Sequence, residues 1–209
     1  MTLVAKIPAA ISESNFETVR DQIGALLTVE LTNQALLIGG GVTPDPDITS
    51  TVYIERLIPY DISENNVVYV SIMEMNLDNQ NQLTQRNTVN FAIDVFCNAK
   101  EDLTTTETCK LARVKLDRLV GIILKILQSP YYNKLGLSAG IIEMRNVTKV
   151  LFSDKYEKDV RDTRMARMIL NVVIHEECAQ IVPVTASDYL TEVKLEESDK
   201  GYYFEYVNP

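Results

Sequence analysis

Tryptophan is absent from this 209-residue chain, histidine occurs once, and cysteine occurs three times. Each scarcity closes off a class of chemistry. A lone histidine, His175, cannot supply a His-rich metal site or paired-histidine catalysis. A Ser-His-Asp triad would have to use His175, and nothing resembling GxSxG precedes a helix pattern. His175 sits inside a strand pattern beside Glu176 and Glu177 and reads as a packed or half-exposed structural residue. Cys97, Cys109 and Cys178 have no CxxC or metal-type spacing and read as reduced, buried thiols. Glycine clusters only at Gly39-Gly40-Gly41, which Val-Thr-Pro-Asp-Pro follows in place of Lys-Ser/Thr and a helix. A phosphate cradle needs backbone amides at a helix N-terminus, so this stretch reads as a flexible connection. EF-hand spacing is absent.

Long apolar runs are also missing. The greasiest stretch, LVGIILKIL, is interrupted by Lys125 far short of the roughly 20 residues a membrane-spanning helix needs. The opening MTLVAKIPAAISESNFE lacks the basic n-region and long apolar core of a secretory signal, which predicts synthesis and folding in the cytoplasm. The sequon Asn146-Val147-Thr148 then has no meaning for glycosylation. The lack of tryptophan and the scarcity of basic-aromatic clusters weigh against carbohydrate and single-stranded nucleic-acid binding. No cofactor, no metal and no enzymatic activity is implied.

What is present is acid and periodicity. The net charge is −9, and from Glu176 to Pro209 eight acids face only Lys194 and Lys200. Such a chain repels nucleic acid as a whole. The pairs Glu196-Glu197 and Asp45/Asp47 lie in polar segments and read as solvated carboxylates.

Ser14-Asn15-Phe16-Glu17 fits a capping box. Phe16, Val19, Ile23, Leu26, Leu27 and Leu31 then recur at helical steps, which predicts an amphipathic helix over about 14–34. Three strands are expected next: Thr51–Ile58, the nearly all-apolar Val67–Met75, and the cleanly alternating Thr88–Cys97. The polar NLDNQNQLTQRN is expected to loop between the last two. A second helix begins near Thr104–Thr106 and carries Ala112, Leu116, Leu119, Val120, Ile123, Ile126 and Leu127 on one stripe. Pro130 ends it, with a frayed turn through Tyr131 and Tyr132. Two more strands, Gly140–Phe152 and Met165–Cys178, complete the set. The order predicts an α+β domain over 1–182: a mainly antiparallel sheet of about five strands with both helices on one face. From Val184 on the chain is acidic and closes in an aromatic cluster, so 183–209 reads as a Tyr-rich extension.

Between the last two strands lies SDKYEKDVRDTR, Ser153 to Arg164, in which four bases and four acids cancel. A polyanion site needs an uncompensated positive field, and this stretch has none. It reads as a protruding hairpin kept soluble by mixed charge, or as a docking loop for a protein partner. Tyr156 and Val160 would be its apolar contacts, flanked by Arg161 and Arg164.

The helix NFETVRDQIGALL, the strand NTVNFAIDVFC leading into CKLARVKLDRLVGIILKIL, and the pair GIIEMRNVTKVLF with RMARMILNVVIHEE together resemble the tail terminator proteins of tailed bacteriophages and contractile injection systems. The resemblance spans about Phe16 to Glu177 and is one of element order, not of a sharp motif. It implies a hexameric ring that ends the tail tube and joins it to the neck or head. The partners would be further copies of the chain and the tail-tube and neck or connector proteins. DNA would pass through the lumen without specific binding, no membrane would be involved, and the location would be a virion assembled in host cytoplasm. Other neck, tail-completion or portal-adaptor proteins, and more distantly a small ligand-binding domain or enzyme, fit the same bulk features. The interface candidates are Tyr156, Val160, Arg161 and Arg164 on the hairpin, and Tyr202, Tyr203, Phe204 and Tyr206 in the tail. The aromatic tail would dock on a neighbouring subunit or ring, or cover the domain's own sheet edge.

Overall fold

The computed structural model describes residues 13–55, 64, 66–78, 84–98, 105–153, 163–177, 188–195 and 198–207. The chain divides into two units, one of Ile11–Cys178 and one of Met1–Ala10 with Ala179–Pro209. The larger unit is the expected α+β fold. Helices α1 (Asn15–Ile38) and α2 (Thr105–Gln128) accompany strands β1 (Thr51–Ile54), β2 (Asn66–Asp78), β3 (Thr84–Asn98), β4 (Ile142–Ser153) and β5 (Thr163–Glu177). The strands form one sheet in the order β1-β2-β3-β5-β4.

Helix α1 buries Val19, Ile23, Leu27 and Leu31, one residue per turn, against the sheet. At its N-terminus the Ser14 amide donates to the Glu17 carboxylate at 3.0 Å, the back-reaching half of a capping box. A second carboxylate arrives from β5: Glu176 accepts the Asn15 and Phe16 amides at 2.8 and 2.9 Å. An anion thus sits where the helix dipole and its orphan amides call for one, and the helix start is pinned to the far strand. The helix runs four residues beyond Gln34 to Ile38. The connection expected to be flexible is tied down. The Gly39 and Asp45 amides both donate to the Ala35 carbonyl at 3.0 and 2.8 Å, and Ile48 is fully buried in the core. A Cβ on Gly39 would lie 1.8 Å from the Thr43 carbonyl oxygen, so no side chain fits there.

Helix α2 packs Leu116, Leu119, Ile123 and Leu127 onto the same side of the sheet. A 3-10 turn, Pro130–Tyr132, ends it where the ring of Pro130 removes a donor. Beneath both helices the inner positions of β3 (Val89, Phe91, Ile93, Val95, Cys97) and β5 (Ala166, Met168, Leu170, Val172, Ile174) are closed to solvent. That is the period-2 alternation read in sequence.

Three boundaries differ from expectation. First, β1 pairs with β2 in parallel, over Thr51–Ile54 only. Glu55 then turns the chain at a φ of 48°, in the left-handed region. Second, β2 and β3 pair well into the stretch expected to loop, with Asn76 opposite Thr88 and Leu77 opposite Asn87. Strand pairing tolerates polar residues where one face is open to water, so their polarity was not a loop signal. Third, Thr163 and Arg164 belong to β5 rather than to the connection.

The smaller unit holds a two-stranded antiparallel sheet of β6 (Asp188–Leu195) and β7 (Ser198–Val207).

Candidate assembly interface

Both helices lie on one face of the sheet, and the other face carries no helix among the described residues. Antiparallel register sets the composition of this outer face row by row. Tyr69, Asp94, Arg167 and Leu151 stand side by side across β2, β3, β5 and β4. Arg167 grips Asp94 with two donors at 2.6 and 2.7 Å, the fork-to-carboxylate geometry that makes such pairs strong. That bond holds the Arg167 guanidinium above its ordinary pKa, against a smaller opposing effect of desolvation. The same row runs on to Tyr53 of β1, and Tyr53, Tyr69 and Phe96, the last two residues further along β3 than Asp94, form an aromatic run with ring centroids 5.8 and 5.3 Å apart. The Tyr53 hydroxyl donates to Glu64 at 2.5 Å.

Toward the other end, Asn171 donates to Asn90 at 2.8 Å and Asn90 to Glu74 at 3.2 Å, so three strands are laced by one amide chain. Beyond it Arg86 donates to Glu143 at 2.8 Å, and the His175 ring nitrogen lies 3.2 Å from the same carboxylate. The hydrogen bond from Arg86 holds Glu143 below the usual carboxylate range. His175 is thus half-exposed and structural in setting, with its own carbonyl accepting the Asn15 side chain at 2.6 Å.

The sheet edges are the second feature. The Glu55 amide donates to the Val70 carbonyl and its carboxylate accepts the Ile72 amide at 2.8 Å, so one residue both ends β1 and covers the next donor of β2. Past a bulge at Met73, β2 continues to Asp78 with no outer strand among the described residues. Met73, Met75 and Leu77, the last 57 % exposed, lie along this open stretch. At the opposite edge β4 has β5 on one side and no described strand on the other, and it exposes Met144, Leu151 and Phe152. Phe152 is partly shielded by the Arg113 guanidinium, 4.4 Å from its ring centre.

A third feature lies on the helix side. Helices α1 and α2 leave a cavity of about 500 Å³, with Ile38, Ile122 and Ile126 as its apolar wall and Glu30 and Lys125 among its polar lining. The Tyr132 hydroxyl donates to Glu30, which pushes the phenol pKa up. Tyr131 at the rim is 93 % exposed. Among the described residues no three potential ligands gather to hold a metal ion. None of the described helices is long and apolar enough to cross a membrane.

Of the residues expected at an interface, Tyr156, Val160 and Arg161 lie outside the described residues. The strands on either side of them pair directly, Ser153 opposite Met165. Arg164 is half-buried on β5, opposite Cys97, and is engaged with a partner. Tyr202, Tyr203, Phe204 and Tyr206 all fall in β7. The Asp94–Arg167 pair, the Glu176 cap and the interhelical cavity were not anticipated. Alternation places Asp94 and Arg167 on outer faces, but only the register of two strands 73 residues apart makes them partners.

No family model and no curated protein matches the chain. Among solved structures it is similar to a chain of the "Virion of native gene transfer agent (GTA) particle", at 14% identity and a TM-score of 0.38, covering 73% of this chain and 97% of that one.

Proposed function

We propose that this protein is a structural virion component. It forms a ring, hexameric by the resemblance above, that terminates a tail tube and joins it to the neck or head. The observation that carries the reading is the pair of open sheet edges. The far half of β2 and the outer side of β4 each offer unpaired backbone and exposed apolar side chains among the described residues. Unprotected edges are ready templates for another strand. The two edges are different surfaces, so contact between them is heterologous, and heterologous contacts close into rings when the rotation permits. The outer face, which carries no helix among the described residues and is rigidified by the Asp94–Arg167 fork and the Asn171–Asn90–Glu74 chain, supplies a stiff wall. A net charge of −9 suits a channel through which DNA slides without adhering.

The test is the mass of the purified protein by light scattering, with negative-stain images of the same peak. A six-fold ring with a central hole that binds tail-tube protein is the expected result. A chain that stays monomeric both alone and with tail-tube protein overturns the reading. A ring of another symmetry that binds a portal and not a tube replaces it with a portal adaptor.

A further inference from the structure

We propose that the open half of the β2 edge is filled by residues Thr2–Ile7 of a second copy, which add to the sheet as a short strand. The inference deepens the ring reading above and rests on it for the choice of partner.

The first observation is the size of the gap. β1 covers β2 from Val67 to Val70. Glu55 then takes the Ile72 amide, and its φ of 48° turns the chain off the edge. From Met73 to Asp78, six residues, β2 has β3 on one side and no strand on the other among the described residues. A neighbour's β4 is 12 residues long, twice the gap, and β1 blocks one end of it. A strand of about six residues fits, and strand addition to an open edge is a common mode of recognition.

The second observation is pattern. Met75 and Leu77 pair with Val89 and Asn87, so they stand on the helix-bearing face, 36% and 57% exposed. Glu74 and Asn76 alternate with them on the outer face. Residues 2–7 read TLVAKI. In an extended segment Leu3, Ala5 and Ile7 share one face, and Thr2, Val4 and Lys6 the other. The first set matches Met75 and Leu77, and Lys6 then falls on the face of Glu74. Pro8 follows, and with no N–H to give to a ladder it closes the segment.

The third is charge. The stretch Met73–Asp78 contains two acids and no base, whereas Met1–Ser12 contains Lys6 and no acid. Acidic edge and basic segment are complementary, and two copies of the same acidic edge are not. Edge and segment are different surfaces, so the contact is head-to-tail and compatible with ring closure.

The fourth is reach. Helix α1 starts at Asn15, held by Glu176 and the His175 carbonyl. His175 lies in one row with Arg86 and Asp78, so the helix start is at the same end of the sheet as the gap. Neighbours in a ring present that end at the same height. Pro8 to Ser14 are seven residues that extend to about 23 Å, several strand spacings, which lets the segment leave its own sheet for the next.

The test uses two full-length variants and one peptide. Leu3→Asp with Ile7→Asp spoils the segment. Met75→Asp with Leu77→Asp spoils the edge through exposed side chains, and Leu77→Asp alone serves if the pair fails to fold. By sedimentation velocity across concentration, each variant is expected to associate at least about tenfold more weakly than wild type. An equimolar mixture is expected to recover a heterodimer, because one chain keeps a good edge and the other a good segment. A labelled synthetic peptide of residues 1–9 is expected to bind the segment variant and not the edge variant, by fluorescence anisotropy. Equal peptide binding to both variants, or wild-type-like association of the edge variant, overturns the inference. Peptide binding without recovery in the mixture overturns it too, since the segment would then serve its own chain's edge. Rings that persist in both variants sink the added strand and leave the ring reading standing. Complementation without rings in wild type does the reverse.

Discussion

The two faces of the five-stranded sheet are built from alternate residues of the same strands, yet they are held together by different physics. On β3, Val89, Phe91, Ile93, Val95 and Cys97 point under the helices and are fully buried. Their neighbours Asn90, Ala92, Asp94, Phe96 and Asn98 point the other way, and most are nearly as inaccessible. Burial alone does not distinguish the faces. The inner face is stabilised by apolar area and close packing, which are non-directional and tolerant of exchange among residues of similar volume. The outer face holds charges and amides that are stable only with a particular partner. The inner face should therefore be sensitive to lost volume, and the outer face to lost partners.

The largest effect is expected inside. Phe91→Ala removes a fully buried ring from the middle of the central strand and should cost about 3–5 kcal/mol, read from a denaturant midpoint at unchanged slope. A loss under about 1 kcal/mol would mean that the two helices can collapse onto the gap, and the contrast between faces would weaken.

Next comes the outer fork. Arg167→Ala leaves the Asp94 carboxylate, whose side chain is only 12% exposed, without its two donors, and should cost roughly 1–3 kcal/mol. Replacing both residues, Asp94→Leu with Arg167→Met, should cost less than the single change, because no orphaned charge remains. Equal losses in the single and double variants would show that the site works by volume, as the inner face does.

Glu176 joins the two regions, since it leaves the end of β5 to cap α1. Glu176→Gln keeps the shape but removes the charge facing two helix amides, and should lower stability by about 1 kcal/mol. Loss of hydrogen-exchange protection should concentrate in the first turn of α1. Uniform loss across the sheet would assign Glu176 to the strand instead.

How much of this was legible beforehand follows the same division. The inner face was readable because apolar periodicity reports it directly: the β3 alternation and the α2 stripe predicted the buried residues almost one for one. The outer face was not, because Asp94 and Arg167, or Asn90 and Asn171, become partners only through register between distant strands. Parallel pairing of β1 was hidden for a related reason. A four-residue strand carries no mark of direction, and its end is set by the Glu55 backbone and carboxylate rather than by a turn motif. The polar stretch NLDNQNQLTQRN read as loop because polarity and irregularity look alike where a strand has an open face. The aromatic tail was conspicuous, but nothing in its composition marked the pairing of β7 with β6.

The smallest effect lies at the exposed end of the outer face, where Arg86 and the His175 ring nitrogen both approach the Glu143 carboxylate. Arg86 holds Glu143 below its ordinary pKa of 4.5. A carboxylate whose folded pKa is depressed stabilises the fold above its unfolded pKa, and that contribution is lost as pH falls through the folded value. The window is therefore the acid side of about pH 4.5, not neutrality. Arg86→Gln should lower the melting temperature only slightly at pH 7, because solvent already screens this pair, and that small deficit should vanish as pH falls from 5 to 3, so the variant's decline is the shallower one. Parallel melting-temperature curves for the two proteins would mean that the contact contributes nothing to pH dependence. The outer face would then divide in two, with partner choice mattering at the buried Asp94–Arg167 fork and not at the water-exposed end of the same strands.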